Sequence, residues 1–453
     1  MNKKLKNISI FGTSSDAGKS TITFVIAKIL QDLGYKVTPF KAQNVSNNAK
    51  VADDGSEIAQ AQHFQAEVLG VQTSYLQNPI LLKSGRGNSA SLIVEGKVVE
   101  DKDVRKYYAD IDLLKPIVKR CFSKLDEQFD CIIAEGAGSP VELNLMDKDL
   151  SNIFIADTFD TKIILVADIE KGGVFGSIWG VYNLLPKKLQ QNIIGVIVNK
   201  FRGDLTLFDE GIRIIEEDFK IPVLGVLPYL PFNLGFEDSQ SLKNFIQNKP
   251  HPKRKIGIIN YPTMSNYNDF EPLICDDETM VEFITSNISL DSFDLIILPG
   301  SKLVIQDLQW LKKIGLFETI QKRKENNGEI LGICGGFEMM FENIIDEKMV
   351  ENQTLTRELG LGFIDDNIVF QKEKIVKSGT YTIFGKTLKG FEIHNGISEK
   401  HPLFYENKNI KGTFVHGIFD DEKFEIYKKE TISNFVDTMK QKLDIETILK
   451  GLV

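Results

Sequence analysis

The stretch ISIFGTSSDAGKSTITFVIAKILQDLG, residues 8–34, decides the fold of the first half of this chain. It begins with a short apolar run, Ile8–Phe11, and continues through a turn rich in glycine and serine. It ends in apolar residues spaced as on one face of a helix. Gly34 follows them and fits the position just beyond a helix C-terminus. The stretch therefore predicts a strand, a tight loop and a helix, which together begin an α/β unit.

Short apolar runs alternate with helical patterns along the rest of the chain. Several of these runs lack polar alternation, as do strands of a parallel sheet that is buried on both faces. The alternation predicts doubly wound α/β sheets with right-handed crossovers in both halves of the chain. The further predicted strands are Cys131–Ala134, Lys162–Ala167, Ile193–Val198, Lys255–Ile259, Leu295–Leu298 and Ile330–Ile333.

A stretch with two prolines and several charges, NKPHPKRK at residues 248–255, leads into one of these strands. Clusters of this kind mark loops between structural units. The length of 453 residues suits two or three domains. We therefore expect two domains, residues 1–250 and 251–453, and the second should end in a charged amphipathic helix from about Asp421.

The composition is that of an ordinary globular protein, with 42% hydrophobic and 26% charged residues. A formal net charge of −9 argues against nucleic acid or an anionic membrane as a partner, but is compatible with a local basic pocket for phosphate. The four cysteines form no CxxC pair, so neither a zinc site nor a disulfide framework is predicted, and a cytoplasmic location is expected.

The turn between the first strand and the first helix has the composition of a phosphate-binding loop. Backbone N–H groups of a glycine-rich turn and the N-terminus of the next helix both attract phosphate oxygens. Lys19 would reach the β- and γ-phosphates of a nucleotide, and the Ser20 hydroxyl would ligate Mg²⁺. Five residues separate Gly12 from Gly18, one more than in the usual motif. The predicted nucleotide-binding residues are Gly12, Thr13, Ser14, Ser15, Asp16, Ala17, Gly18, Lys19 and Ser20.

Magnesium requires oxygen ligands beyond the phosphates. Glu135 ends a predicted strand, and the carboxyl ends of parallel strands face the ligand crevice. Asp54, in DDGSE, is a second candidate, although Asp53 adjoins it and DDG is also a turn signal. The sequence thus predicts a Mg²⁺ site of Ser20, Glu135 and Asp54. A solvated acid at a strand end is the alternative for Glu135.

The second half of the chain carries a different signature, ILGICGGFEMM at residues 330–340. A cysteine at a tight strand-to-helix turn projects its side chain at the sheet edge, where the helix N-terminus makes the thiol nucleophilic. Cys334 is therefore the predicted nucleophile, with a buried structural thiol as the alternative. His416 follows another short strand and is the predicted base. The predicted oxyanion donors are the backbone N–H groups of Gly300, Ser301 and Gly335.

Together these motifs resemble those of the cobyric acid synthase family over essentially the whole chain. The first half is similar to dethiobiotin-synthetase-like ATPases, whose P-loop shares the five-residue spacing. The second half, as a flavodoxin-like domain, is similar to class I glutamine amidotransferases. The resemblance rests on FKAQNVSNNA (40–49), DGSEIAQAQ (54–62), NPILLK (78–83), EGAGSPVELNL (135–145), VADIEKGGVFGSI (166–178), NKFRGD (199–204), GVLPYL (225–230), SNYNDFEPL (265–273), LPGSK (298–302), GICGGFEMM (332–340), GFEIHNG (390–396) and GTFVHGIFD (412–420).

The resemblance implies glutamine hydrolysis at Cys334, with ATP and Mg²⁺ as cofactors and a corrinoid as the second substrate. In this family, phosphorylation activates a corrinoid carboxylate and ammonia then displaces the phosphate, at four carboxylates of adenosylcobyrinic acid a,c-diamide. Ordinary class I amidotransferases carry a glutamate two residues after the histidine, and here that residue is Ile418. A Cys–His dyad is therefore expected, with Asp420 as a candidate to orient His416.

Two other functions stay open from the sequence. A cobyrinic acid a,c-diamide synthase would share the domain order and chemistry but amidate two other carboxylates. The segments NKFRGD, NPILLK and SNYNDFEPL favour the cobyric acid branch. A non-catalytic P-loop switch with a relic amidotransferase domain would have no need of the Cys334–His416 pair, which is present.

Overall fold

The computed structural model describes residues 4–84, 89–103, 110–230, 232, 234–235, 249–351 and 356–453. The strands of these residues are β1 (Ile8–Gly12), β2 (Val37–Phe40), β3 (Gln43–Val45), β4 (Ala49–Val51), β5 (Glu57–Ala59), β6 (Ile80–Ser84), β7 (Ser89–Val94), β8 (Lys97–Asp103), β9 (Cys131–Glu135), β10 (Lys162–Asp168), β11 (Ile193–Phe201), β12 (Val223–Pro228), β13 (Arg254–Ile259), β14 (Met264–Ser265), β15 (Thr279–Ile284), β16 (Leu295–Leu298), β17 (Gly300–Ser301), β18 (Glu329–Ile333), β19 (Phe341–Ile345), β20 (Arg357–Leu359), β21 (Ile364–Ile383), β22 (Lys386–Ile397), β23 (Phe404–Asn407) and β24 (Ile410–Thr413).

The α-helices of the same residues are α1 (Lys19–Asp32), α2 (Gln60–Val68), α3 (Ile111–Gln128), α4 (Ile153–Phe159), α5 (Val174–Leu184), α6 (Lys187–Gln190), α7 (Asp209–Glu217), α8 (Glu271–Cys275), α9 (Val304–Lys313), α10 (Leu316–Glu325), α11 (Gly335–Glu338), α12 (Glu422–Lys440) and α13 (Ile445–Leu452). Short 3-10 turns lie at Met146–Lys148, Leu205–Phe208 and Tyr267–Phe270. None of the described helices is both long enough and apolar enough to span a membrane.

Two six-stranded sheets organise the described residues, one in each half of the chain. The first has the order β12-β11-β10-β1-β9-β2 and is parallel throughout. The second has the order β15-β13-β16-β18-β24-β23, and only its last strand is antiparallel. The prediction of two α/β units built on parallel sheets is confirmed.

Each of the seven predicted strands is present, and their ends agree within three residues. All five residues of β1 and of β9 are buried, as expected for strands covered on both faces. The helix after Gly18 ends at Asp32, and Gly34 adopts the left-handed conformation (φ 91°) while donating to the Gln31 carbonyl. This closure satisfies a carbonyl that the helix end leaves without an intrahelical partner.

Smaller sheets join the two halves. Strands β4 and β5 pair as an antiparallel hairpin, here called the bridging hairpin (residues 49–59). Its apolar side chains share one buried cluster with Phe391 and Ile393 of β22. Glu57 in the same hairpin forms an ion pair with Lys374 of β21, with a 2.8 Å separation. The first half of the chain therefore docks on the second through this hairpin.

The last two helices pack on the first sheet. Phe435 of α12 stacks on Phe24 of α1 at 5.9 Å, and the Lys6 N–H donates to the Leu452 carbonyl at 2.8 Å. The sequence-based division placed residues 422–452 with the second domain, so their packing differs from that expectation. The predicted boundary stretch, 248–255, runs into β13, whose first two residues are Arg254 and Lys255, and its first residue lies outside the described residues.

Phe435→Ala should lower the free energy of unfolding by about 3 kcal/mol, because a buried ring is lost and a cavity remains. Phe435 is buried in the same apolar cluster as the core-facing side chains of helix α1. Equilibrium urea unfolding followed by circular dichroism measures this change. Ile426→Ala on the same helix is the matched control, since Ile426 is 52% exposed and its truncation should cost less than about 0.5 kcal/mol. Equal costs for the two variants would contradict the packing of α12.

Candidate active sites

All nine residues of the predicted phosphate loop lie between β1 and the first turn of α1. Gly18 precedes the helix in a left-handed conformation (φ 97°) that favours glycine. A Cβ atom at Gly12 would lie 2.8 Å from the Lys19 Nζ atom, so the loop wraps closely around the lysine. Lys19 Nζ donates to the Ser14 carbonyl at 3.2 Å. The Thr13 hydroxyl is buried without a partner, which suits an oxygen-rich ligand.

Ser20 and Glu135 meet across the first sheet, as the sequence predicted. The Ser20 hydroxyl donates to Glu135 Oε1 at 2.8 Å. Lys41 Nζ lies 2.6 Å from the same oxygen, and both side chains of this ion pair are buried. Gln65 Nε2 donates to Glu135 Oε2 at 2.9 Å. Lys41 and Gln65 were not predicted for this site, and only the fold brings them to it.

Asp54 does not join this pair. Its carboxylate accepts hydrogen bonds from the backbone N–H groups of Ser56 (3.0 Å) and Tyr75 (3.3 Å), so it closes its own turn and ties that turn to the loop after α2. The prediction that Asp54 is a magnesium ligand is therefore not supported by its position. The turn signal DDG was the better guide, because an aspartate side chain readily bonds the backbone two residues on.

The residues at this loop fit a magnesium nucleotide. A hydroxyl and a carboxylate oxygen, the donor types Mg²⁺ prefers, lie at the start of α1 beside Lys19. Among the described residues, no group of three or more His, Cys, Asp or Glu side chains could hold a metal ion by itself.

Cys334 occupies the turn between β18 and α11. Its backbone is left-handed (φ 50°, ψ −114°), which is strained for a residue with a side chain. The Cys334 N–H donates to the Thr413 carbonyl at 2.8 Å, and this bond holds the turn against β24. A Cβ atom at Gly336 would lie 1.9 Å from the Leu298 carbonyl oxygen, so only glycine permits the sharp turn after the cysteine.

The predicted oxyanion residues surround this cysteine turn. Gly300 and Ser301 form β17, which pairs with β14 in a two-stranded ladder. A Cβ atom at Gly335 would lie 2.6 Å from the Ser301 backbone nitrogen, so the two loops are in close contact. A Cβ atom at Gly300 would lie 3.5 Å from His416 Cε1. The fold therefore brings Cys334, His416 and the three predicted oxyanion residues together.

His416 is fully buried, and an aspartate orients it. Its Nδ1 atom lies 2.7 Å from Asp269 Oδ2, and Asp269 Oδ1 accepts from the Gly417 N–H at 2.9 Å. The ring of Phe391 stacks on the imidazole with centroids 4.9 Å apart. Burial lowers the pKa of His416, but the charges and hydrogen bonds of Asp269 and Cys334 outweigh it and raise the pKa to about 10. The His416 imidazole thus lies beside the Cys334 thiol, and its hydrogen bond to Asp269 fixes its orientation.

The expected Cys–His dyad is therefore a set of three residues. Asp269 precedes His416 by 147 positions, so no local pattern links the two. Asp269 does lie in the quoted segment SNYNDFEPL, which was the signal available in the sequence. Asp420, the expected orienting residue, lines a cavity beside Asp269, and burial raises its pKa to about 6. Asp269, and not Asp420, holds the imidazole.

Comparison with known proteins agrees with this geometry. Residues 8–233 match a family model described as "CobQ/CobB/MinD/ParA nucleotide binding domain", and residues 255–424 match one described as "CobB/CobQ-like glutamine amidotransferase domain". A cobyric acid synthase of Acinetobacter baylyi is 62% identical over 465 residues, which cover 99% of both chains. This chain belongs to the cobyric acid synthase family.

More distant cobyric acid synthases are similar over nearly the same span. The protein of Clostridium botulinum is 37% identical and covers 99% of this chain and 92% of its own length. The protein of Listeria monocytogenes is 38% identical and covers 93% of this chain and 86% of its own length. The resemblance inferred from the sequence is thus confirmed at the level of the family.

Glu135→Gln should raise the Mg²⁺ concentration needed for half-maximal amidation roughly 10-fold, because it keeps the shape of the side chain but removes its charge. Titration of MgCl₂ at saturating ATP measures this requirement. Asp54→Asn is the matched control, since the Asp54 carboxylate is engaged by the backbone N–H groups of Ser56 and Tyr75. An equal increase for Asp54→Asn would restore that residue as a ligand of this cobyric acid synthase family member.

Asp269→Asn should lower glutamine-dependent turnover by at least about 100-fold, because the imidazole loses the acceptor that fixes its Nδ1 proton. Steady-state glutamate release measures the effect, and amidation from free ammonium serves as the control for folding. Asp420→Asn should stay within about threefold of the unchanged protein, since Asp420 does not contact the imidazole in the hydrogen bonds of His416. The reverse order of effects would make Asp420 the orienting residue.

Proposed function

We propose that this chain hydrolyses glutamine at Cys334 and uses the ammonia, with ATP and Mg²⁺, to amidate four corrinoid side-chain carboxylates. The product would be adenosylcobyric acid, formed from adenosylcobyrinic acid a,c-diamide. The observation that carries the proposal is the Asp269–His416 pair beside Cys334, in the same chain as a P-loop whose Ser20 contacts Glu135. A chain with both sites can form an amide from glutamine and a carboxylate.

In the glutamine site, Cys334 is the nucleophile and His416 is the base that takes its proton at Nε2. Asp269 fixes the imidazole through Nδ1 and stabilises its charged form. The backbone N–H groups of Ser301 and Gly335 stabilise the oxyanion that forms when the thiolate attacks the glutamine amide. His416 then protonates the leaving nitrogen, which departs as ammonia.

In the nucleotide site, the loop of residues 12–20 would hold the phosphates of ATP, and Ser20 with Glu135 would hold Mg²⁺. The bound nucleotide supplies a phosphoryl group that converts a carboxylate into a better acyl donor. Lys19 compensates phosphate charge, while Lys41, already paired with Glu135, adds a second positive charge at the same edge of the sheet. We assign residues 1–250 to this half of the reaction and residues 251–421 to glutamine hydrolysis, with the last two helices packed on the first half.

Amidation of a corrinoid at other positions is the second candidate function. A cobyrinic acid a,c-diamide synthase would use the same two sites. The relatives at 62% and 37% identity carry the name cobyric acid synthase, which favours the four-carboxylate reaction. Mass analysis of the corrinoid product separates the two functions, because each added amide changes the mass and the fragments reveal its position.

Cys334→Ser should abolish synthesis from glutamine but retain synthesis from ammonium chloride at wild-type rates. A serine hydroxyl is a far weaker nucleophile than a thiolate, while phosphorylation of the corrinoid does not use this residue. Corrinoid amides are measured by mass spectrometry with either nitrogen source, best above neutral pH, where more ammonia is unprotonated. Cys275→Ser is the matched control, because Cys275 is a half-buried free thiol outside the site and its loss should change neither reaction.

Wild-type glutamine-dependent synthesis by Cys334→Ser would refute the assignment of the nucleophile. Loss of both reactions in a folded variant would instead show that Cys334 acts in joining the two halves of the chain.

A further inference from the structure

Asn266 lies between the bridging hairpin and His416. Its Oδ1 atom accepts from the Ala49 N–H at 3.0 Å, and its backbone N–H donates to Asn48 Oδ1 at 2.8 Å. Its Nδ2 atom lies 3.2 Å from His416 Nε2. The residue is buried and adopts a left-handed backbone (φ 53°), which asparagine tolerates. A single side chain thus joins the first half of the chain to the imidazole.

The backbone of Ala49 determines which way the Asn266 amide points. A backbone N–H can only donate, so the amide oxygen must face Ala49. The amide nitrogen therefore faces His416, and because this nitrogen also can only donate, the imidazole Nε2 must accept. This contact therefore favours an imidazole that carries its proton on Nδ1, toward Asp269, and opposes a second proton on Nε2.

This arrangement opposes the chemistry of the site. Nδ1 is engaged by Asp269, so Nε2 is the ring nitrogen left to take the proton of Cys334. The Asn266 amide competes with Cys334 for the lone pair of Nε2. The Cys334 Sγ atom lies 3.5 Å from the Ile393 carbonyl oxygen, which gives the thiol hydrogen another acceptor. Asp269 favours a charged imidazole, whereas Asn266 in this orientation favours a neutral one.

We infer that Asn266 is a positioning residue that opposes protonation of His416 at Nε2 while the bridging hairpin is docked. Release of Ala49 frees the amide to turn its oxygen toward Nε2. The oxygen then accepts a hydrogen bond from the protonated imidazole, so the thiolate forms and glutamine hydrolysis accelerates. This inference rests on the proposed function of Cys334 and His416.

A continuous set of contacts leads from the nucleotide site to this asparagine. Gln65 of α2 donates to Glu135 Oε2 at 2.9 Å and to the Ser20 carbonyl at 3.2 Å. Helix α2 follows β5 without a break, and β5 pairs with β4, which begins at Ala49. Ligands that engage Ser20 and Glu135 change the partners of Gln65, and a shift of α2 is passed to the hairpin.

The Asn266 amide borders a small cavity at the base of the bridging hairpin. A small cavity of about 40 Å³ lies between the two halves of the chain, with Ala49, Gln60, Asn266 and Asp269 among its lining residues. The bridging hairpin is held from its other end by the Glu57–Lys374 ion pair. Ala49 can therefore move away from Asn266 without separation of the two halves.

Asn266→Asp tests the inference, because it keeps the shape and an acceptor for Ala49 but replaces the donor toward His416 with an acceptor. Glutamate release is measured with and without ATP, Mg²⁺ and cobyrinic acid a,c-diamide. In the wild type these ligands should stimulate hydrolysis roughly 10-fold. In Asn266→Asp, hydrolysis without them should rise roughly 10-fold, in kcat rather than in KM for glutamine, and stimulation should fall toward onefold.

Alkylation by iodoacetamide gives a readout that a merely structural role would not change. The rate of alkylation of Cys334, followed on its peptide, reports the fraction of thiolate. This rate should rise in Asn266→Asp when the ligands are absent. Asn266→Ala, which also lacks the donor, should show the same direction of change. Lys428→Met is the matched control, since it removes an ion pair to Glu67 beside the same cavity but not the contact to His416. In Lys428→Met, the ratio of glutamate release with the ligands to release without them should stay at the wild-type value.

Synthesis from ammonium should be unchanged in both Asn266 variants, which verifies folding. Wild-type stimulation in both folded variants, slower alkylation in Asn266→Asp, or a wild type that the ligands do not stimulate would each overturn the inference. A failure of the proposed function would be recognised by a different result. In that case the Cys334→Ser variant would still release glutamate from glutamine.

Discussion

Parallel strands all end at the same edge of their sheet, and both sites of this chain occupy such an edge. In the first sheet, β1 ends in the phosphate loop and β9 ends at Glu135, which places that carboxylate against Ser20. In the second sheet, β18 ends at Cys334 and β24 leads to His416. Residues that lie far apart in the chain therefore meet without any local signal, because the sheet gathers the ends of its strands.

Glycine makes the close approaches at these edges possible. Gly336 lies against the Leu298 carbonyl, and Gly335 against the Ser301 nitrogen, at distances that exclude a side chain. Cys334 itself bears the strain of a left-handed backbone. Strain of this kind costs roughly 1–3 kcal/mol and persists only where surrounding contacts hold it, here the hydrogen bond to Thr413 and the packing of α11.

Charged groups buried between the two halves fix how they dock. Glu57 is almost fully buried and pairs with Lys83 from its own half and Lys374 from the other. Burial raises the pKa of Glu57, but the two lysines outweigh it and lower the pKa to about 2. Removal of one partner would leave a buried charge uncompensated, which is strongly destabilising. The same hairpin reaches Asn266, so the interface that joins the halves also contacts the imidazole.

The sequence by itself determined the α/β class and the seven strands that were predicted, and it singled out the loop of residues 12–20, Cys334 and His416 as candidate site residues. These features can be recognised from short stretches of sequence. Apolar runs, glycine-rich turns and residues at strand ends each involve only a few neighbouring positions. Asp54 was singled out on similar local evidence, but its position does not support a magnesium ligand, because an aspartate in a turn and an aspartate that binds a metal look alike in sequence. Tertiary structure alone decided that Asp269 orients His416, that Lys41 and Gln65 share Glu135, that the last two helices pack on the first sheet and that Asn266 faces the imidazole. Each of these contacts joins residues separated by 70 or more positions, and no period or spacing records which distant side chains the folded sheets bring together.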